Sequence, residues 1–195
     1  MAYRNEAEPP GTDGALSVPP SATAPGLLLR PWTEQDIPAM VAAHQDPVIR
    51  QWLRYPATTE QEAARIIEAR QAEHRAGTGF SFAIVRADSD GTAGDLAGGV
   101  VIRLNRAAAS GEVGYWVAAP WRGRGTAPRA VTAVCDWLFL LPGLRPLDRL
   151  ELIHAIDNHA SCRVADKAGF TLSAVLPPLL PDFPHDGHLH IRRAS

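Results

Sequence analysis

The sequence predicts a mixed α/β fold in which helices interleave with a mostly antiparallel central sheet. Two observations support this prediction. Short apolar runs typical of strands alternate along the chain with segments whose apolar residues recur at helical spacing. The composition, 46% hydrophobic and 21% charged over 195 residues, is that of a single domain able to bury a core.

The first half of the chain predicts a leader, one strand and three helices. Residues 1–25 are rich in Pro, Gly, Ala and Ser, and we expect a poorly self-structured leader there, before a domain over residues 26–195. The predicted elements are a strand at Gly26–Trp32, a helix at Thr33–His44, a helix with Asp46 as its cap and Pro47 as its first residue, and a helix that begins with a Thr59–Glu62 capping box and ends at Gly77.

The rest of the chain, from Phe80 onward, predicts mostly strands. The strands are Phe80–Ala87, Leu96–Leu104, Gly111–Ala118, Arg149–Ile156, Phe170–Leu176 and His188–Arg193, and the helices run from about Thr126 to Leu141 and from Asn158 to Gly169. A turn is expected at residues 88–91, DSDG. The dipeptide Asp186–Gly187 indicates a hairpin between the last two strands.

Charge and cysteine content exclude several classes of function. The formal net charge is −2, so no global field attracts nucleic acid or an anionic membrane. No apolar run approaches the roughly 18 residues of a membrane span, and no signal core stands at the N-terminus. Cys135 and Cys162 fall in helical patterns without metal-ligand spacing, which favours the reducing cytoplasm. The sequence leaves open whether the protein forms a homodimer.

The stretch Pro120–Ala130, PWRGRGTAPRA, concentrates three arginines and two glycines between a predicted strand and a predicted helix. Three interpretations compete for it: an RNA-binding patch, a loop that holds a phosphorylated cofactor, and a solvated turn. The net charge weakens the first. The other two stay open on composition alone.

The start of the following helix has the properties of a pyrophosphate site. Its first amides lack partners within the helix and lie at the positive end of the helix dipole. Small residues at Gly123, Gly125 and Ala127 let a ligand approach the backbone, and Arg122 and Arg124 add positive charge. The motif is not a Walker loop, because no Gly-Lys-Ser/Thr follows. It is not a Rossmann fingerprint either, because no second βαβ unit supplies a ribose carboxylate.

Three segments resemble the GCN5-related N-acetyltransferase (GNAT) superfamily. Arg122, Gly125 and Ala127 fit its acetyl-CoA loop, (Gln/Arg)-x-x-Gly-x-(Gly/Ala). The segment Asn158–Phe170, NHASCRVADKAGF, is similar to the family's segment after its fifth strand, and Leu27–Met40 is similar to its opening strand and helix. Together they cover about residues 27–193. The opening and GYWV..PWRGRG most resemble the branch of ribosomal-protein alanine N-acetyltransferases.

The resemblance implies a fold and a cofactor. In the GNAT fold, helices cover both faces of the sheet, and the fourth and fifth strands, here Gly111–Ala118 and Arg149–Ile156, splay around the pantetheine arm of acetyl-CoA. By the same resemblance, backbone groups of Trp116, Val117 and Ala118 bind the pantetheine and thioester, amides of Arg122, Gly123, Arg124, Gly125, Thr126 and Ala127 bind the pyrophosphate, and Asn158 binds the pantetheine arm. Asn158 is also suited to cap the following helix.

The resemblance also suggests catalytic residues. Glu112 stands where many GNAT enzymes carry a glutamate base. It is roughly 13 Å of strand from Trp116, so a water relay is favoured, and an exposed strand carboxylate is the alternative. Ser161 matches a serine of the alanine N-acetyltransferase branch and is our candidate acid, with a polar helix residue as its alternative. Two departures stand out: Ala165 replaces the family's tyrosine, and Ala118–Ala119 replace that branch's acidic residue.

The tail residues His185, His188 and His190 suggest a metal site, but we favour no metal. The family ends in a hairpin beside the acceptor site, so we expect these histidines and Asp182 to line the acceptor mouth or face solvent. His154, in the middle of a strand, is interpreted as a satisfied core or cleft residue.

We therefore expect a single-domain N-acetyltransferase that moves an acetyl group from acetyl-CoA to a primary amine. A peptide N-terminus and a small molecule such as an antibiotic or polyamine are both open as the acceptor. The alternative from another class is a non-catalytic acyl-CoA-binding module.

Overall fold

A computed structural model describes residues 14–87, 93–141, 144, 147–181 and 183–194. The strands are β1 (Leu16–Val18), β2 (Leu27–Pro31), β3 (Gly79–Ala87), β4 (Ala93–Asn105), β5 (Ser110–Val117), β6 (Arg149–Ala155), β7 (Thr171–Leu176) and β8 (Gly187–Arg193). The helices are α1 (Ile37–His44), α2 (Pro47–Trp52), α3 (Glu60–Arg75), α4 (Thr126–Leu140) and α5 (His159–Lys167).

The eight strands form one sheet in the order β1-β2-β3-β4-β5-β6-β8-β7. Every neighbouring pair is antiparallel except β5 and β6, which are parallel. A parallel pair needs a crossover connection, and here α4 provides it. The predicted mixed, mostly antiparallel sheet is therefore confirmed.

Helices cover both faces of the sheet, as predicted. On one face, Trp137 of α4 packs edge-on against Phe80 and Phe82 of β3, with ring centroids 5.0 and 5.4 Å apart. On the other face, Ala83 and Val85, further along the same strand, join a cluster supplied by α1 and α3. Alternate residues of one buried strand thus serve two cores, as the two-residue period of a strand requires.

The predicted helix signals are confirmed in the structure. Asp46 caps α2 by accepting a hydrogen bond from the Val48 amide, and Thr59 and Glu62 form the expected capping box of α3. Gly77 follows α3 with a φ of +63°, the left-handed conformation typical of a residue just after a helix. No helix within the described residues is both long and apolar enough to cross a membrane.

Two predicted turns have different outcomes. The DSDG turn at residues 88–91 lies outside the described residues. The hairpin at Asp186–Gly187 is wrong: β7 and β8 are antiparallel neighbours, but residues 177–186 connect them, and Gly187 is already a strand residue opposite Leu176 and Ala155. Gly187 sits close to the His154 carbonyl oxygen, at 3.4 Å from an ideal Cβ position, so a close approach accounts for this glycine.

Part of the expected leader joins the sheet, although the sequence predicted little structure there. Leu16 and Val18 of β1 are buried against the core, and β1 pairs with β2 at the sheet edge. Arg129 of α4 donates hydrogen bonds to the carbonyl oxygens of Pro19 and Pro25, at 2.5 and 3.0 Å. The segment between β1 and β2 is thereby fixed against the first turns of α4.

Candidate active site

The sheet forks between β5 and β6. The two strands pair only where Ser110–Glu112 lies beside Arg149–Glu151. Beyond Glu112, β5 stays paired with β4 as far as Val117, and β6 stays paired with β8 as far as Ala155. The strands that the sequence predicted to splay therefore do so, and about 16 Å of the β5 edge, over Val113–Val117, faces the fork without a strand partner.

The end of this edge has fewer free backbone groups than the sequence predicted. The Ala118 amide donates to the Ala97 carbonyl oxygen at 2.9 Å, and the Ala118 carbonyl accepts from the Trp121 amide at 2.9 Å. Ala118 is thus wrong as an amide donor to the pantetheine, because its N–H closes the strand onto β4. The Val117 carbonyl accepts from Nε of Arg122 at 3.1 Å. Backbone groups of an antiparallel strand face its two neighbours alternately, so Trp116, opposite Gly99, shares the β4 side with Ala118, and its predicted backbone contact with the pantetheine is wrong as well. The Val117 amide faces the fork and is left for a ligand at this end of β5.

The Trp116 side chain anchors this end of β5 from the opposite face. Its ring stacks on Trp32 with centroids 6.2 Å apart, and His44 packs edge-on against it at 4.7 Å. A Cβ at Gly99 would lie 2.8 Å from atoms of both tryptophan rings, so the neighbouring strand needs glycine at this position. The tryptophan is therefore held by packing, which fixes the position of the neighbouring Val117 at the end of β5.

The loop after β5 leads into a helix start that carries no side-chain cap. Gly123 and Gly125 have φ values of +73° and +71°, a left-handed conformation that favours glycine. Gly125 is the N-cap of α4, and no side chain caps the helix there. The Thr126 hydroxyl donates instead to the Trp121 carbonyl at 2.9 Å. The first amides of α4 are therefore left for an outside acceptor, as the sequence predicted for a pyrophosphate site.

The two loop arginines differ in what they offer a ligand. The guanidinium of Arg122 forms an ion pair with Asp46 at 2.8 Å, so the prediction that its charge serves a ligand is corrected: that charge is compensated by the cap residue of α2. Arg124 is exposed and lies over the Trp121 ring, 5.7 Å from the centroid. Of the two, Arg124 is the cation able to reach a phosphate.

The first turn of α5 lies across the fork from β5. Asn158 is the N-cap of α5, and its side chain accepts a hydrogen bond from the Ser161 amide at 3.2 Å, so its predicted capping role is confirmed. Ser161 is buried, at 5% exposure, and its hydroxyl accepts a hydrogen bond from the Tyr115 hydroxyl at 3.0 Å. Ala165, where the family has tyrosine, is fully buried in the core.

Tyr115 was missed by the sequence analysis. It lies on the unpaired stretch of β5, and its hydroxyl reaches Ser161 from the opposite branch of the fork. Burial raises the pKa of this phenol, so it stays protonated and can donate a hydrogen bond at neutral pH. A tyrosine hydroxyl therefore reaches the fork from β5, although the helix position that carries tyrosine in the family is alanine.

Glu112 lies at the base of the fork. It is opposite Arg103 on β4 and Glu151 on β6, and its carboxylate pairs with the Arg103 guanidinium at 3.8 Å. Its side chain is 52% exposed. Water can therefore reach the carboxylate, as a relay would require, and the proposed role as base stays a prediction.

A second cluster of functional side chains lies between β6, β8 and α5. His154, Cys162, His188 and His190 each offer one potential ligand atom, and these atoms lie within 4.8 Å of one another. The expectation that the tail histidines face solvent or line the acceptor mouth is wrong for His190, which is 2% exposed and stacks on His154 at 5.1 Å. His185 is exposed, and Asp182 lies outside the described residues.

Comparison with known protein families decides the family. The model of the acetyltransferase (GNAT) domain matches residues 26–171, about three quarters of the chain. The chain belongs to the GNAT family. The predicted acetyl-CoA-dependent acetyltransferase is thereby confirmed at the level of the family, and the forked sheet is the family's fold. The comparison with curated proteins yields no match.

Solved GNAT structures resemble this chain over nearly its whole length. RimL, a ribosomal L7/L12 α-N-protein acetyltransferase in complex with coenzyme A, aligns with a TM-score of 0.76 and 22% identity over 91% of this chain and 97% of its own. Mycobacterium smegmatis RimJ, in complex with a CoA disulfide, has a TM-score of 0.73 and 25% identity over 93% of this chain and 86% of its own. The microcin C7 self-immunity acetyltransferase MccE, in complex with acetyl-CoA and AMP, has a TM-score of 0.71 and 18% identity over 86% and 92%.

His44, which supports Trp116, predicts a pH dependence of stability. The ring is 3% exposed, and its Nδ1 accepts a hydrogen bond from the Ala57 amide at 2.9 Å. Burial lowers its pKa from 6.5 to about 4. Between about pH 6.5 and 4, this histidine is therefore protonated in the unfolded chain but neutral in the native state. Stability is therefore fully present above about pH 6.5 and is lost as the pH falls toward 4. Urea unfolding should show this loss, and the His44→Asn variant, which keeps an acceptor for Ala57, should lose less.

The exposed His159 offers the matched control for this prediction. His159→Asn should follow the wild-type pH dependence, since the other titrating groups are unchanged. Identical slopes for wild type and His44→Asn would contradict the account of His44 as a buried neutral imidazole.

Proposed function

We propose that this enzyme transfers the acetyl group of acetyl-CoA to the α-amino group of a protein N-terminus. The observation that carries the proposal is the fork, where an unpaired strand edge leads directly into an uncapped helix N-terminus. The names of two neighbours, RimL and RimJ, support the acceptor class, since RimL is described as an α-N-protein acetyltransferase. Two free thiols fit a reducing cytoplasm, where newly made proteins expose such amines.

The cofactor is proposed to lie along the fork from its loop to its interior. Amides of residues 123–127 bind the pyrophosphate, because the positive end of the α4 dipole and the two left-handed glycines present backbone N–H groups there. The pantetheine arm follows the free edge of β5 and takes a backbone hydrogen bond from the Val117 amide. The side-chain amide nitrogen of Asn158 donates from the other branch, since its oxygen already caps α5.

The reaction requires a neutral amine that attacks the thioester carbon. Glu112 is proposed to take the amine proton through water, because its carboxylate is solvated and lies on the same strand face as Trp116. The Val117 amide donates to the carbonyl oxygen as negative charge develops on it. The carbon–sulfur bond then breaks, and the electron pair leaves with the sulfur of CoA.

Ser161 and Tyr115 are proposed to stabilise the departing thiolate. The Ser161 hydroxyl accepts its hydrogen bond from Tyr115, so its own hydrogen is available to the sulfur. Because the pKa of Tyr115 is raised, the phenol donates a hydrogen bond and keeps its proton. Solvent supplies the proton that the thiolate finally takes. Tyr115 thus acts through Ser161 as a positioning residue.

A small-molecule amine is the second candidate acceptor. Two observations favour it: MccE, a self-immunity acetyltransferase, shares the fold, and Ala118–Ala119 stand where the alanine N-acetyltransferase branch has an acidic residue. An acyl-CoA-binding module without turnover is the third candidate, and it too rests on the missing carboxylate.

An acceptor screen distinguishes these three candidates. We expect CoA release and an acetylated product with peptides that begin with Ala or Ser, and none with the same peptides after N-terminal blocking, even when they contain lysine. The physical reason is that an α-amino group has a pKa about 2.5 units below that of lysine, so about 300 times more of it is neutral at a given pH. Thiol release and the peptide mass measure the reaction.

Two comparisons control the screen. Gly125→Glu places a carboxylate at the proposed pyrophosphate site and should abolish turnover while the far-UV circular dichroism stays native. Turnover of spermidine or an aminoglycoside in preference to every peptide would contradict the N-terminal acceptor. CoA binding without turnover of any amine would favour the binding module.

Glu112 and the Ser161–Tyr115 pair should give distinct kinetic signatures. Glu112→Gln should lower turnover by roughly 10²-fold near pH 7, the low end of general-base catalysis, and recover as the pH rises and the amine becomes neutral unaided. Ser161→Ala and Tyr115→Phe should each cost roughly tenfold, and the double variant little more, because the two residues act in series. The measurement is turnover as a function of pH, with CoA affinity determined in parallel.

The control for Glu112 is Glu151, the carboxylate directly opposite it across the base of the fork. Glu151→Gln should keep the wild-type pH profile. If Glu112→Gln turned over as fast as the wild type at every pH, Glu112 would not be the base, and its role would be limited to the surface ion pair with Arg103. Additive losses in the double variant would show that Tyr115 acts independently of Ser161.

A further inference from the structure

The cluster of His154, Cys162, His188 and His190, here called the His3Cys cluster, has no role in the acetyl transfer described above. Three secondary structure elements build it. His154 and His188 face each other across the β6–β8 ladder, His190 lies two residues further along the same face of β8, and Cys162 approaches from the first turns of α5.

Two distances within the His3Cys cluster match those between sulfur and nitrogen ligands of a tetrahedral metal site. Sγ of Cys162 lies 3.6 Å from Nε2 of His154 and 3.3 Å from Nδ1 of His188. With zinc–sulfur and zinc–nitrogen bonds of about 2.3 and 2.05 Å, a tetrahedral site places sulfur and nitrogen ligands about 3.5 Å apart. All four ligand atoms already lie within 4.8 Å of one another, so small side-chain rotations suffice to close the set.

His190 supplies independent support for a ligand in this position. Its ring is 2% exposed, and neither ring nitrogen has a hydrogen-bond partner among the described residues. A buried polar atom without a partner destabilises the native state, and native structures rarely leave both nitrogens of one ring in that state. A metal ion that accepts one nitrogen lone pair removes part of this cost.

The hydrogen bonding of His154 leaves one of its ring nitrogens available to a cation. Nδ1 of His154 lies 2.8 Å from the carbonyl oxygen of Ala155, a contact that places the ring proton on Nδ1 and leaves the Nε2 lone pair directed at Cys162.

We propose that His154, Cys162, His188 and His190 bind one zinc ion in a closed structural site that joins β6, β8 and α5. One thiolate with three imidazoles is a donor set of the borderline softness that zinc prefers. Binding releases the thiol proton of Cys162 to solvent and forms four metal–ligand bonds with no change of oxidation state. Since four side chains fill the four positions, none is left for water or substrate, so the ion stabilises the fold next to Ser161 and does not take part in acetyl transfer.

Zinc titration of the full-length protein tests the proposal. Protein stripped with a chelator and dialysed should take up one zinc ion per chain in competition with a chromophoric chelator, and zinc should raise its melting temperature. Cobalt(II) in place of zinc should give the intense visible bands of a tetrahedral ion and the near-ultraviolet sulfur-to-cobalt band of a thiolate ligand. These readouts do not depend on catalysis, so they stand whether or not the proposed acceptor is correct.

Two variants locate the ion. Cys162→Ser should weaken zinc binding by at least about a hundredfold and abolish the sulfur-to-cobalt band, since loss of even an outer-shell partner costs 10- to 100-fold. His190→Phe keeps a planar ring of similar size, so the metal-free protein should be as stable as wild type or more so, while zinc no longer raises its melting temperature. A variant that is stable without zinc but gains no stability from zinc has lost a metal ligand, whereas a variant with a damaged fold would be less stable in both forms.

Cys135→Ala and His159→Ala are the matched controls. Cys135 is a buried thiol of α4, and His159 is an exposed histidine of α5 outside the cluster. Both variants should bind zinc as wild type does. Failure of the wild-type protein to bind stoichiometric zinc, or unchanged zinc affinity in both Cys162→Ser and His190→Phe, would overturn the proposal.

Discussion

The rest of the structure depends on where the pairing between β5 and β6 stops. The two strands share only three residue pairs, from Ser110 beside Arg149 to Glu112 beside Glu151. Beyond that point each strand keeps its outer partner and loses its inner one. Backbone groups on the inner edges must find other acceptors and donors, because a protein rarely leaves such groups unsatisfied. The fold therefore builds an edge for a ligand with amide groups of its own, and the pantetheine arm of acetyl-CoA is such a ligand.

Around this fork, several side chains hold the backbone in place through hydrogen bonds and ion pairs. The backbone amides at the start of α4 stay free to bind a ligand. Arg122 is committed to Asp46 and to the Val117 carbonyl, and the Thr126 hydroxyl to the Trp121 carbonyl. The Asn158 oxygen caps α5. Each contact fixes a turn next to the fork without occupying the amides of the α4 N-terminus. The side chains left for chemistry are few, and Tyr115 and Ser161 meet where the two branches of the fork face each other.

Local patterns in the sequence were enough to predict most elements and the glycine loop before α4. The Thr59–Glu62 box and the glycines at 123 and 125 are signals whose physical cause lies within a few residues, so they could be read without tertiary information. The strand β1 could not be predicted from a local pattern. Its three residues are too few to show the alternation of apolar and polar residues typical of a strand, and they are ordered by pairing with β2.

Contacts between distant residues were missed for a different reason. Tyr115 and Ser161 are 46 residues apart, and the His3Cys cluster draws its side chains from two strands and a helix. Cys162 and His154 are separated by a spacing that resembles no metal motif, and only the β6–β8 register brings His188 opposite His154. The same register explains why Asp186–Gly187 is not a hairpin turn: Gly187 is the first residue of β8 and pairs with strands on both sides.

Hydrogen–deuterium exchange of the protein with and without CoA tests the central claim most directly, because it reports on backbone amides. The account predicts that CoA slows exchange in two segments, the unpaired edge of β5 at residues 113–117 and the start of α4 at residues 123–127, while exchange in β1 and α1 stays unchanged. Unchanged exchange in both segments at millimolar CoA, or slowing confined to β7 and β8, would contradict the claim that the fork holds the cofactor.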